Sequence, residues 1–370
     1  MAKSSSRKPR QGQLSLLAPD RAGEPESEWA DPLPDDFQCA EMRAYQTFVA
    51  REEEMGNLSN SLPLWDATPK YAVPRNQQAA MRDVRGDLPE FQREFQYRGR
   101  TCRVRVRAAR VRDSDGLGIG VYPSEREELV ESALRYLACQ QAQGFYTERS
   151  NAPQPVSGVT FTIHQIRMLL RERGRWLRHE DIVQALEVMR YCSITIETGD
   201  RRRDYGSPII SGVRRMAVDA GDDVDSEGAV WNVVFNRLVT GAIEERAYRQ
   251  FDFDQMVRCK APLTRWLYLA LVHRWRNASM THPMQMSLRD VQRDSGFLDY
   301  GRFRQAAEKL AKSFEELKEM GVLRDVEVEA ELGPRQKIMD VSYVLRPTKT
   351  FVTKVVKANQ RSAKLPTNGR

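Results

Sequence analysis

Long apolar runs are missing from this 370-residue chain. No stretch approaches the roughly 20 apolar residues that a membrane helix needs. The start, MAKSSSRKPRQGQLSLLAPD, lacks the apolar core of a secretory signal, so a cytosolic protein is expected. Cysteine is sparse. Cys39, Cys102, Cys139, Cys192 and Cys259 form no CxxC pair and have no His at ligand spacing. An odd, dispersed set points to reduced thiols, several of them core-filling, and away from disulfides or zinc. The histidines, His164, His179, His273 and His282, are isolated, so the paired His ligands that a rolling-circle nickase sets beside its Tyr are missing. The phosphate-loop pattern G-x-x-x-x-G-K-[ST] is missing too, because Gly116-Leu117-Gly118-Ile119-Gly120 has neither the Lys nor the following Ser or Thr. A non-enzymatic protein without cofactors is expected, with any helicase or nicking activity supplied by partners.

Acidic residues are absent from both ends. Arg346 to Arg370 carries seven basic residues, and the first ten residues carry Lys3, Arg7, Lys8 and Arg10. Between Glu24 and Asp66 the balance reverses, with Glu24, Glu26, Glu28, Asp31, Asp35, Asp36 and the run Glu52, Glu53, Glu54. The net charge is +7. Basic ends suit a polyanion such as DNA, because Lys and Arg displace condensed counterions from phosphates, although they also serve plain solubility.

Residues 1–85 are rich in Pro, Ser, Glu and Asp and read as a mostly extended or disordered region, with one short helix from Asp36 to Met55. A hairpin is expected next, Phe91 to Tyr97 and Arg103 to Val111 around Gly99. Its alternation sets Arg103, Arg105 and Arg107 on one face, either solvated or against phosphates. Ser124, followed by Glu125, Glu127 and Glu128, starts a helix with a Leu129, Ala133, Tyr136 and Leu137 stripe. It should end near Gly144, before a Pro-containing loop at Asn151 to Gly158.

Two later stretches share a plan. In the first, VTFTIHQIRMLLRERG, Thr162 and Gln165 form a T-x-x-Q capping box before an apolar helix that turns at Gly174. A second helix, Arg178 to Met189, leads to a strand from Cys192 to Ile196 and a hairpin through Gly199 to Arg203. In the second, MSLRDVQRDSG, Ser287 and Asp290 repeat the cap, Gly296 ends the helix, and a longer helix spans Tyr300 to Met320. A strand from Val322 to Glu329, a turn at Gly333-Pro334-Arg335 and a strand from Lys337 to Leu345 follow. Helix, turn, helix and ribbon is the winged form of helix-turn-helix, and the second copy has a supporting helix at Pro262 to Ser279. The expected fold is α+β, with two tandem winged-helix domains. The expected divisions are 1–85, carrying a clamp-like peptide; 86–255, the first winged helix with its hairpin; 256–347, the DNA-reading winged helix; and 348–370, a basic tail.

A recognition helix enters the major groove by its N-terminal part. On Tyr300 to Met320, Phe303, Ala307, Leu310, Phe314 and Leu317 form the packed stripe. Arg302, Arg304, Gln305, Lys309, Lys312 and Ser313 supply the candidate base-reading surface, ahead of Glu315, Glu316 and Glu319. Arg can bond guanine bidentately and Gln adenine. A solvated helix with i,i+4 ion pairs is the competing reading. The wing adds Arg335 and Lys337 for phosphates. The equivalent helix of the first copy carries Glu180, Asp181, Gln184 and Glu187, which repel phosphates. Its cations sit on the preceding turn, at Arg171, Arg173, Arg175 and Arg178, and on the expected wing, at Arg201, Arg202 and Arg203. Of these, Arg173, Arg175, Arg178 and Arg201 to Arg203 are the candidate backbone contacts. The first domain is therefore expected to touch the DNA backbone or a second protomer, and the second to read bases.

From about Val121 to Asn359 the chain resembles the plasmid replication initiators of the RepA and TrfA type, the replication initiator protein A family. GVTFTIHQIRMLLRERG, WNVVFNRLVTGAIEERAYRQFDFD, APLTRWLYLALVHRW and IMDVSYVLRPTKTFVTKVVKAN carry the resemblance. It implies two winged-helix domains that bind directly repeated origin sites (iterons) as monomers, and dimers that repress replication or their own gene. It also implies recruitment of the host initiator and replicative helicase in a bacterial cytoplasm. Gln13-Leu14-Ser15-Leu16-Leu17 resembles the pentapeptide by which bacterial proteins dock on the sliding clamp, and TrfA-type initiators carry such a peptide. Two leucines can fill an apolar groove while Gln13 anchors a polar end. Leu17 in place of Phe weakens that fit. The competing function is a transcriptional repressor that only occupies DNA, since winged helices serve both roles. A DNA-bridging protein would call for a coiled coil, and none is evident.

Overall fold

The computed structural model describes residues 57–112, 116–140, 145–147, 154–199, 204–216, 229–244, 247–299, 302–334 and 338–364. The chain enters through strand β1 (Leu58–Ser61) and the short helices α1 (Pro63–Ala67) and α2 (Arg75–Met81). Strands β2 (Phe91–Tyr97), β3 (Arg100–Arg107), β4 (Ala109–Arg112) and β5 (Gly118–Val121) precede helix α3 (Glu125–Gln140). Next come β6 (Phe145–Thr147), β7 (Gln154–Val156), β8 (Gly158–Thr162), α4 (Ile163–Arg171) and α5 (His179–Tyr191). Strands β9 (Ser193–Glu197), β10 (Asp204–Ser207), β11 (Ile210–Met216) and β12 (Val230–Phe235) lead to α6 (Arg237–Glu244), β13 (Arg249–Asp252) and α7 (Phe253–Arg258). The last part holds α8 (Pro262–Arg274), β14 (Met284–Ser287), α9 (Leu288–Ser295), α10 (Phe303–Glu319), β15 (Leu323–Leu332), β16 (Ile338–Pro347) and α11 (Lys349–Lys364).

Both helix-turn-helix units start as the caps dictate. Thr162 Oγ1 accepts the Gln165 N–H at 3.2 Å, and Gln165 Oε1 accepts the Thr162 N–H at 2.8 Å, so two orphan donors at the start of α4 are satisfied reciprocally. Ser287 Oγ accepts the Asp290 N–H at 3.1 Å at the start of α9. Gly296 ends α9 with φ 73°, a left-handed conformation that favours glycine. In the second unit α8, β14, α9, α10, β15 and β16 follow in order, and the sheet runs β14-β16-β15. In the first unit α3, β8, α4 and α5 are followed by a sheet ordered β8-β12-β11. The strand before the helices thus pairs with the later wing strand in both units, which makes the architecture α+β with two winged helices.

That sheet order corrects one expectation. The hairpin after α5 is not the wing of the first unit. Strands β9 and β10 join β3 and β2 in a sheet ordered β10-β9-β3-β2, with Val104 opposite Ile196 and Val106 opposite Ile194, all buried. The wing strands are β11 and β12. Arg201, Arg202 and Arg203 lie outside the described residues, in the connection between β9 and β10 rather than in the wing. The sequence joining the wing strands, residues 217–228, holds Asp219, Asp222, Asp223, Asp225 and Glu227 and no base.

Residues 57–85, expected as part of an extended region, fill the seam between α3 and α8. Trp65 Nε1 donates to Glu131 Oε1 at 2.6 Å, and the Tyr71 hydroxyl also bonds Glu131. Lys70 Nζ donates to the Trp65 carbonyl at 2.7 Å and sits over the Trp65 ring. Arg135 pairs with Asp66 at 2.9 Å. These polar side chains carry no sequence periodicity, and their partners are distant in the chain. The expected helix from Asp36 to Met55 lies outside the described residues. Residues 349–364, expected within a basic tail, form α11, because Phe351, Val355 and Ala358 recur on one face and are buried.

Helix α8 is buried from Leu263 to Val272 and lies at the centre of the molecule. Arg265, fully buried, donates to Glu128 at 2.9 Å and Glu125 at 3.0 Å on α3, and to the Cys259 carbonyl at 3.0 Å. Burial raises the Glu128 carboxyl above its ordinary range, the Arg265 guanidinium works against that rise, and the neighbouring Glu125 adds to it. A second seam joins β2 to α9. Gln96 N–H donates to Asp294 Oδ1 at 2.9 Å, and Arg93 reaches the Gln292 carbonyl at 3.1 Å and the Asp299 carboxylate.

Candidate nucleic-acid interface

Helix α10 buries Ala306, Leu310, Phe314 and Leu317 and leaves the opposite face in water. Arg302 stands at its N-cap position without a side-chain cap, and Arg302, Arg304, Gln305 and Lys312 are exposed. Arg304 is held by Glu308, one turn on, at 2.9 Å. Glu308 was overlooked in the sequence, although the i,i+4 spacing announces the pair. An exposed pair of this kind is worth little and can open for another acceptor.

Two expected base readers are placed differently. Ser313 is 3% exposed. It stands seven residues after Ala306 and four before Leu317, so it shares their packed face. Lys309 is half-buried, and its Nζ donates to the Phe297 carbonyl at 3.2 Å, which fastens α10 to the turn before it. Glu316, counted among the outward acids, instead accepts the Thr264 hydroxyl at 2.7 Å and the Lys260 N–H, fixing α10 to α8. The outward surface of α10 is therefore Arg302, Arg304, Gln305, Glu308, Ala311 and Lys312 before Glu315 and Glu319.

The second wing has two unlike faces. Cross-strand pairs Val326–Leu345, Val328–Tyr343 and Ala330–Val341 make one apolar. Asp325, Glu327, Glu329 and Glu331 line the other, where Glu327 pairs with Arg346 at 2.9 Å. Carboxylates along the wing stem would repel phosphates. Arg335 and Lys337, the tip cations, lie outside the described residues.

In the first unit, the turn arginines mostly face inward. Arg173 donates to Asp254 at 2.6 Å and to the Leu169 carbonyl at 2.9 Å, with its guanidinium 5.5 Å from the Tyr136 ring centre and 5.3 Å from that of Phe253. Arg175 donates to the Val257 carbonyl at 2.9 Å and to that of Cys259. Burial draws its pKa below the ordinary arginine value. Both hold the turn on α7 and the segment after it, so neither is presented to a phosphate. Arg178 stays exposed, with Asp181 3.4 Å away. Helix α5 is itself covered. Arg126 donates to Gln184 at 2.7 Å, Gln184 donates to the Arg112 carbonyl at 3.3 Å, and Ala109 and Val111 of β4 are buried where that strand packs against α5. One residue missed in the sequence stands out on this turn. Trp176 is 72% exposed and lies under the Arg171 guanidinium at 4.5 Å. Its signal in the sequence is only a Trp set between Arg175 and Leu177 in a basic turn.

Arg103, Arg105 and Arg107 are each paired with a carboxylate, although Arg103 and Arg107 stay exposed. Arg103 pairs with Glu94 at 2.9 Å, Arg105 with Glu197 at 2.7 Å and Arg107 with Glu90 at 2.8 Å. Gln13 to Leu17 lie outside the described residues. Among the described residues no helix is long and apolar enough to cross a membrane.

No family model matches the chain, and no curated protein matches it. Among solved structures, it is similar to a selenomethionine derivative of domains 2 and 3 of RctB, with 12% identity over 73% of this chain and 95% of that one, at a TM-score of 0.45. A further structure of RctB domains 2–3 is 11% identical over 76% of this chain and 99% of that one, at a TM-score of 0.42. The Pi initiator protein in complex with iteron DNA is 12% identical over 60% of this chain and 94% of that one, at a TM-score of 0.39.

Proposed function

We propose that this chain binds repeated double-stranded DNA sites at a plasmid origin and starts replication there. The single observation that carries the reading is α10, the second helix of a winged helix-turn-helix unit, with an unburied start bearing Arg302, Arg304, Gln305 and Lys312. Its first turns hold side chains that bond guanine and adenine edges, and its packed face is fully used by the domain. Within the proposed boundaries, 256–347 reads bases. The unit at 86–255 contacts the backbone through Arg178 and the Arg171–Trp176 stack, or meets a second protomer, because its own α5 is covered. The wing-tip pair Arg335 and Lys337, and the Arg201 to Arg203 turn, remain proposed phosphate contacts. Ser313, Arg173 and Arg175 drop out of the DNA-contacting set.

Initiation, rather than repression alone, rests on the resemblance to RepA- and TrfA-type initiators and on the Gln13 to Leu17 peptide. A repressor has no need of a clamp peptide. The proposed partners are the sliding clamp, the replicative helicase and the host initiator, with a self-dimer for autoregulation in a bacterial cytoplasm. The test places the gene with its flanking DNA on a circle lacking any other origin. Maintenance in the native host is expected, and the triple change Arg302→Ala, Gln305→Ala, Lys312→Ala should abolish both maintenance and selection of the flanking repeats from random duplexes. A triple variant that still selects the repeats removes α10 as the reader. An unchanged chain that binds the repeats without sustaining the circle is a repressor.

A further inference from the structure

A cavity of about 570 Å³ opens between β13, α8 and the first turns of α11, and the proposed DNA contacts do not use it. Arg249 lines it and is 6% exposed, and its buried Nε and Nη2 have no hydrogen-bond partner among the described residues. Among the described residues no carboxylate pairs with this guanidinium. Burying a charge without a partner is costly, and an arriving anion would offset that cost. Burial pulls the Arg249 pKa down to about 10, and the neighbouring Arg276 adds to the repulsion. Lys349, Lys354 and Lys357 share the lining, against one acid, Asp252, which Lys354 already holds at 2.6 Å. The start of α11 lines the same space, and a helix start favours negative charge. A guanidinium fork with free donors fits phosphate oxygens.

The space exceeds what a bare ion fills and lies in the range of small-molecule sites. Phe251, Phe351 and Val355 add apolar surface of the kind that a base packs against. We propose that this cavity binds a nucleotide, with its phosphate on Arg249 and its base on the apolar wall. The site is distinct from α10, so its failure leaves the DNA-reading proposal standing.

The full chain is titrated with AMP and with inorganic phosphate at constant ionic strength, by calorimetry and thermal melting. AMP should bind one to one and raise the melting midpoint by a few degrees, more than phosphate does. Arg249→Met should lose that response, melt no lower than the unchanged chain without ligand, and bind duplex DNA as before. Lys349→Glu, an exposed rim change that spares the core, should weaken AMP several-fold. The proposal is overturned if AMP leaves the unchanged chain unaffected, if Arg249→Met keeps the response, or if Lys349→Glu binds AMP unchanged. It is also overturned if Arg249→Met melts lower with no AMP response in the unchanged chain. The guanidinium then serves the chain itself, with Glu52-Glu53-Glu54, close before the cavity-lining Asn57 in sequence, as the first counter-charge to test. Loss of duplex binding by Arg249→Met, with no AMP response, assigns Arg249 to the DNA backbone instead.

Discussion

Ser313, Arg173 and His273 are all polar residues in sequence, and packing gives them different fates. Ser313 belongs to the packed stripe of α10 by its spacing from Ala306 and Leu317, a signal the sequence carries although the expected base-reading surface includes it. Arg173 and Arg175 carry no such signal, because their acceptors lie more than 80 residues away on and after α7. His273 near the end of α8 is partly exposed as a residue, yet both ring nitrogens are buried without partners among the described residues. Burial pushes its pKa down to about 4, with Arg249, Arg135 and Arg276 opposing a proton and Asp66 favouring one. The ring is therefore neutral in the folded chain where an unfolded His, near 6.5, is already charged. Below pH 6.5 the unfolded state binds the extra proton, so stability falls as pH drops from 6.5 toward 4 and this contribution levels off below that. The slope from one such group is at most about 1.4 kcal/mol per pH unit. Urea midpoints measured from pH 7 to pH 4 should fall less steeply in His273→Phe than in the unchanged chain. Parallel curves would show that the ring does not resist protonation.

At the scale of elements, the capped helices could be read directly and the strand partners could not. Thr162 with Gln165, Ser287 with Asp290, and Gly296 mark local events within a few residues, and each stands where its chemistry requires. The wing of the first unit is a long-range choice. In sequence only the hairpin through Gly199 to Arg203 reads as the wing, and the pairing of β8 with β12, some 70 residues on, is what makes β11–β12 the wing instead. Segment 57–85 was missed for the same reason, since Trp65 and Tyr71 find their acceptor, Glu131, across the seam. The α3–α8 contact is the most consequential of these pairings. Arg265→Leu leaves Glu128 buried without its counter-charge and should cost about 3–5 kcal/mol of stability. Adding Glu128→Leu removes that stranded charge, so the double variant should recover more than half of the loss. A double-mutant cycle in urea measures the coupling directly. Additive losses would mean that the two groups do not depend on each other.

For the whole molecule, the repeated plan suggests two separable beads, whereas the packing ties them together. Arg265 crosses from α8 to α3, Arg93 and Gln96 cross from β2 to α9, and Trp65 to Tyr71 lie in the seam. One continuous apolar cluster runs from Leu62 through Leu267 to Val355. Helix α8 is assigned to the second unit by order, yet its buried surface is shared with the first. A piece cut at 256 would expose the Arg265 side of that helix and lose β13, α3 and residues 57–85 together. Residues 256–370 alone are therefore expected to lack a cooperative melt and to lose selective duplex binding, although they contain all of α10. Residues 57–370 should keep both. In the intact chain, far-ultraviolet dichroism and tryptophan fluorescence should report one coincident urea transition, since Trp65, Trp176, Trp231, Trp266 and Trp275 sample both units. A 256–370 fragment that melts sharply and selects the repeats as the full chain does would mean that α8 supports α10 without the first unit. Failure of the fragment, with the coincident transition, makes the first winged helix a structural requirement for the proposed base reading.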